Sequence, residues 1–68
     1  MFFTAHAVQR MWQRGITVEW VIWALQNGVP QQAQGNRFRV DVVYNQFGNR
    51  ITVILDPTLT IVITTYWS

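Results

Sequence analysis

Cysteine and lysine are both missing from this chain, histidine occurs once, and only three side chains are acidic. Without cysteine, neither a disulfide nor a thiolate zinc site can staple the fold. One histidine and three carboxylates are too few to expect a protein-built metal site. No glycine-rich phosphate loop, dinucleotide fingerprint or nucleophile elbow is present, so no cofactor is expected and hydrolysis through a serine triad is disfavoured. No stretch approaches the roughly 20 apolar residues of a membrane span. The opening MFFTAHAVQRM lacks both the basic start and the long apolar run of a signal peptide. The expectation is a soluble, cytoplasmic protein with no membrane partner.

What remains is apolar and aromatic. Half of the 68 residues are hydrophobic and four are tryptophan. A chain this short buries only about 60% of its unfolded surface, so a very apolar core and self-association are the ways left to stabilise it. One small domain over residues 1–68 is expected, and a homo-oligomer with it. The net charge is +2, and all permanent positive charge is arginine. Arginine carries a planar fork suited to bidentate contact with phosphate or carboxylate.

Helix punctuation is clear in the first half. Thr4 is placed to cap, and Gly15 to end, a helix over roughly residues 5–14. At 100° per residue, Val8, Met11 and Trp12 share one face, while His6, Arg10, Gln13 and Arg14 share the other. Thr17 caps a second helix running to about Asn27, and Gly28 ends it before Pro30. Val18, Val21, Ile22 and Leu25 form its expected core stripe. Trp20, Trp23 and Ala24 lie opposite, so this helix is apolar nearly all round, and Trp20 and Trp23 are the expected oligomer interface.

The second half has a period of two. VPQQAQGN, residues 29–36, is polar and irregular and is expected as a loop. FRVDVVYN puts Phe38, Val40, Val42 and Tyr44 on one face and Arg39, Asp41 and Asn45 on the other. After NQFGN, RITVILD alternates Ile51, Val53 and Leu55 with Thr52 and Ile54. Asp56 and Pro57 open a type I turn. In LTIVITTYW, strict alternation groups Thr60, Val62, Thr64 and Tyr66 against Ile61, Ile63, Thr65 and Trp67. The expected fold is α+β, with two N-terminal helices packed on one face of a three-stranded antiparallel meander.

Candidate site residues are few. His6, Arg10 and Arg14, spaced by four, are simply the wet side of a helix on one reading. On the other, His6 lies in the first turn, where free backbone N–H groups favour an anion. That position suits a neutral imidazole acting as a base, with Arg10 and Arg14 continuing a phosphate track. Arg37 and Arg39 share a strand face and form a second basic site, or else a charged guard on an edge strand. Arg50 lies beside a turn and carries no assigned role. Thr64, Thr65 and Tyr66 gain meaning only if their strand lies beside the histidine. One histidine, arginines and hydroxyls are enough for metal-independent RNA cleavage, because the ribose 2′-hydroxyl supplies the nucleophile.

The order Thr4-Ala5-His6-Ala7, Arg10-Met11, Arg14-Gly15-Ile16 resembles the opening of a small bacterial family of unknown function, T-x-H-A-x-x-R-M-x-x-R-G-I. Leu25 to Gly28, Gly35 to Phe38 and Ile61 to Tyr66 match its later positions, so the resemblance spans nearly the whole chain. That family is similar in layout to the barnase, EndoU, colicin and RelE-like ribonuclease toxins. The resemblance implies a RelE-like domain acting on RNA phosphodiester bonds. It gives His6, Arg10, Thr64 and Tyr66 catalytic roles, and Arg14, Arg37 and Arg39 phosphate or RNA contacts. The implied partners are RNA and a cognate antitoxin or similar protein. The alternative is a non-catalytic homo-oligomeric interaction module, or one half of a toxin–antitoxin-type pair.

Overall fold

The computed structural model describes residues 1–67. Its elements run β1 (Phe2–Phe3), α1 (Ala5–Arg14), α2 (Val18–Asn27), β2 (Gln31–Ala33), β3 (Arg37–Val43), β4 (Arg50–Leu55) and β5 (Ile61–Trp67). The strands form one sheet in the order β1-β5-β4-β3-β2. β1 lies parallel to β5, and the other pairs are antiparallel. The three-stranded meander is therefore corrected to a five-stranded mixed sheet within the same α+β class.

Both added strands sit at the edges and are too short to show a period of two. β1 is a dipeptide, tied down by Phe2 N–H to Thr60 C=O and Thr4 N–H to Val62 C=O, at 2.9 and 3.0 Å. β2 lies within the polar segment expected as a loop. It folds back onto β3 through a turn in which Gly35 and Asn36 both have positive φ, 72° and 58°. Glycine takes that conformation without penalty and asparagine tolerates it better than most residues.

The helix ends fall where the caps place them. Thr4 Oγ1 accepts from Ala7 N–H at 3.0 Å, and Gly15 closes α1 in the left-handed region at φ 66°. Thr17 Oγ1 accepts from Trp20 N–H at 3.2 Å at the start of α2. The buried faces, however, are rotated from the expected ones. Ala7 and Met11 are the buried residues of α1, and Val21 and Ala24 those of α2. Trp12 is 85% exposed, Val8 and Val18 46%, and Ile22 44%. α1 rests on β5 and α2 on β3 and β4. The small side chains of Ala7 and Ala24 allow that close approach, which a ranking by hydrophobicity does not show.

The core joins these helix residues to Ile16, Val40, Ile51, Val53, Leu55 and Val62. A shift of register between Ile54 and Leu55 on β4 puts a bulge in β5: Ile54 faces Thr64, but Leu55 faces Val62. Strict alternation fails there, and Val62 is fully buried with the helix-facing set. Thr64 and Tyr66 stay on the opposite face, paired with Ile54 and Thr52. Among the described residues, no helix is long and apolar enough to cross a membrane.

Candidate functional site

Because both helices pack on one side of the sheet, the other side is open. Residues two apart on a strand share a face, so β3 presents Arg37, Arg39 and Asp41 there and β4 presents Arg50, Thr52 and Ile54. Arg37, Arg39, Gln32, Ile54, Thr64 and Tyr66 line one shallow recess. Arg39, Asp41, Arg50, Thr52 and Tyr66 line a second. Arg39 and Tyr66 belong to both, so the two recesses form one surface.

Charge is distributed unevenly across the molecule. The open face holds three arginines and one aspartate, a formal +2, which equals the net charge of the whole chain. The other charged side chains, Arg10, Arg14, Glu19 and Asp56, cancel. Within the face, Arg39 Nε pairs with Asp41 Oδ2 at 2.9 Å, and the Thr52 hydroxyl donates to Asp41 Oδ1 at 2.5 Å. Half-exposed, the ion pair is worth well under about 1 kcal/mol, and its effect is to fix the direction of Arg39. Arg37 and Arg50 are exposed.

The expected α1 row fares differently. Arg14 donates to the Thr65 carbonyl at 2.9 Å, while its own carbonyl accepts from Trp67 Nε1 at 2.6 Å. It therefore serves as a structural tie. Thr4 Oγ1 donates to the Ile63 carbonyl at 2.9 Å. β1 pairs only with Ile61 and Val62, so side chains from α1 and its cap take over along the rest of that β5 edge. Arg10 is half-buried and donates to Gln13 at 2.8 Å. His6 is exposed on α1, and neither His6 nor Arg10 lines the arginine recesses.

The structure thus brings together Arg37, Arg39, Thr64 and Tyr66 and adds Arg50, which the sequence reading passed over. Its signal was the hairpin register, which sets Arg50 across from Val43 on the same face as Arg39. Trp20 and Trp23 meet edge to face at 5.5 Å. Trp20 also packs on Tyr44 at 5.3 Å and on Trp67 at 6.4 Å. Both are half-buried and Ala24 is fully buried, while Val8, Trp12, Val18 and Ile22 are exposed. Periodicity could not choose between these sides in a helix apolar all round.

Over residues 3–67 the chain matches a family model described as Domain of unknown function (DUF4258). The chain belongs to that family. No curated protein and no solved structure matches this chain.

Proposed function

We propose that this DUF4258 domain is a cytoplasmic, RelE-like ribonuclease toxin or a degenerate relative of one, with the open sheet face as its platform for single-stranded RNA. The reading is carried by one observation: the whole excess of positive charge lies on that face, around Tyr66. Guanidinium groups that track a backbone beside an aromatic ring are what a single strand requires, since phosphates are neutralised while a base stacks. Arg37 and Arg39, two strand residues apart, stand roughly 6.6 Å from each other along β3, close to the step between phosphates of an extended strand.

The chemistry is an in-line displacement. The ribose 2′-oxygen bonds to the neighbouring phosphorus and gives its proton to a base. The bond from phosphorus to the 5′-oxygen breaks, and that oxygen takes a proton. Arg37 and Arg39 would neutralise the non-bridging oxygens. Tyr66, with Thr64 beside it, supplies a hydroxyl on the same face for proton transfer. His6 and Arg10 lie on α1, outside the arginine recesses, and enter this reading through the resemblance alone.

The test is binding and cleavage of single-stranded RNA in the presence of a chelator. Three phosphate contacts predict that log K falls with log salt at a slope of about −2, and Arg50→Ala should reduce it to about −1.4. Tyr66→Phe and His6→Ala should each lower cleavage by about 10²-fold if they move protons, and wild-type rates would remove that residue from the mechanism. Absent or salt-independent RNA binding would overturn the reading.

A further inference from the structure

On the helix side, Phe3, Val8, Met11, Trp12, Ile16 and Val18 line an apolar recess of about 480 Å³ that carries no charged side chain. Ile22, one turn beyond Val18 on α2, is 44% exposed. Trp12 stands at its wall with 85% of its surface exposed. We propose that this face is a homodimer interface, with two copies meeting about a two-fold axis and Trp12 of each entering the recess of the other.

Three features select a second copy as the occupant. A two-fold interface uses the same patch twice, so it needs a projection and a hollow side by side, and this patch has both. It offers no countercharge to a charged partner, whereas a copy of itself needs none. The +2 of each chain lies on the opposite face, so pairing through the helix layers keeps the two positive surfaces apart.

The size is also adequate. Val8, Trp12, Val18 and Ile22 together expose on the order of 400 Å² of apolar surface. A stable interface takes about 800 Å² per partner, of which somewhat more than half is apolar. For a short domain without disulfides, that association supplies burial which the single chain lacks. The proposal stands independently of the RNA reading, because it uses none of the same residues.

The experiment is sedimentation velocity at about 50 μM, with melting followed as a function of concentration. Wild-type protein should sediment as a dimer and melt higher as concentration rises. Trp12→Glu and Val18→Glu should sediment as monomers with unchanged helix and sheet content and with melting independent of concentration. Both positions are open to solvent, so a folding failure in one variant leaves the other to decide. A wild-type monomer at about 200 μM would overturn the proposal, as would a dimer of unaltered strength in both variants. RNA binding by the two variants should match wild type, so failure of one proposal is distinguishable from failure of the other.

Discussion

Gly28 closes α2 with an extended backbone, φ −107° and ψ 165°, so its conformation does not call for glycine. Its neighbours do. A Cβ there would lie 2.4 Å from Val40 Cγ1 and 2.6 Å from Val42 Cγ2. The glycine is a contact surface against β3, and Gly28→Ala should cost about 1–3 kcal/mol, read from the urea midpoint. A loss under about 0.5 kcal/mol would show that both valines yield easily. Sequence punctuation located this residue correctly but for a different reason. Asp56 is the residue with the clearest acid signature. The Thr58 hydroxyl, then the N–H groups of Ile61 and Thr60 at 2.9 Å, bond its carboxylate and lower its pKa from 3.8 to about 2. Because the folded value is the lower one, this contribution is complete above 3.8 and disappears as pH falls through about 2. Denaturant midpoints of the wild type should fall across that window, and those of Asp56→Asn should be flatter there.

Of the helix–strand pairs, α1 and β5 are the most closely packed. The Thr4 hydroxyl caps the helix and also donates to the Ile63 carbonyl. At the other end the Arg14 guanidinium donates to the Thr65 carbonyl, and the Arg14 carbonyl accepts from Trp67 Nε1. Thr4→Ala should therefore cost about 1–2 kcal/mol, the upper part of the range for a cap, and Thr4→Ser should restore most of it. If both variants match wild type in thermal melting, the cap bears no tertiary load. Much of the opening motif is thus explained by this joint, which also accounts for what the sequence disclosed. Helix ends were legible because each is marked by a local residue, the hydroxyls of Thr4 and Thr17 at the starts and the left-handed backbone of Gly15 at the first stop. β1 and β2 were not, since two or three residues show no alternation and their partners are distant in sequence. The bulge in β5 depends on its pairing with β4, so periodicity alone assigned Val62 to the wrong face.

At the scale of the molecule, the net positive charge and the apolar recess beside Trp12 lie on opposite sides. Arg50→Glu should abolish RNA binding and leave sedimentation unchanged, while Trp12→Glu should do the reverse, because the two sites share no residue and their effects should add. A variant that altered both properties would mean that the sheet transmits between its faces. The arginine pair of β3 could be read from spacing alone. Its completion by Arg50 and Tyr66 required the strand order, which no local pattern contains.

The first helix rests on the last strand. During synthesis α1 is complete some fifty residues before β5 exists. Until then Ala7 and Met11 have no surface to cover, and the edge strand β1 has no partner. A ribosome-bound chain ending before Ile61 should therefore be digested rapidly by protease, and protection should come only once Trp67 has cleared the exit tunnel. Tyr66 would be among the last residues of the domain to fall into place, so the arginine face is assembled only once β5 has emerged, when the whole domain closes at once.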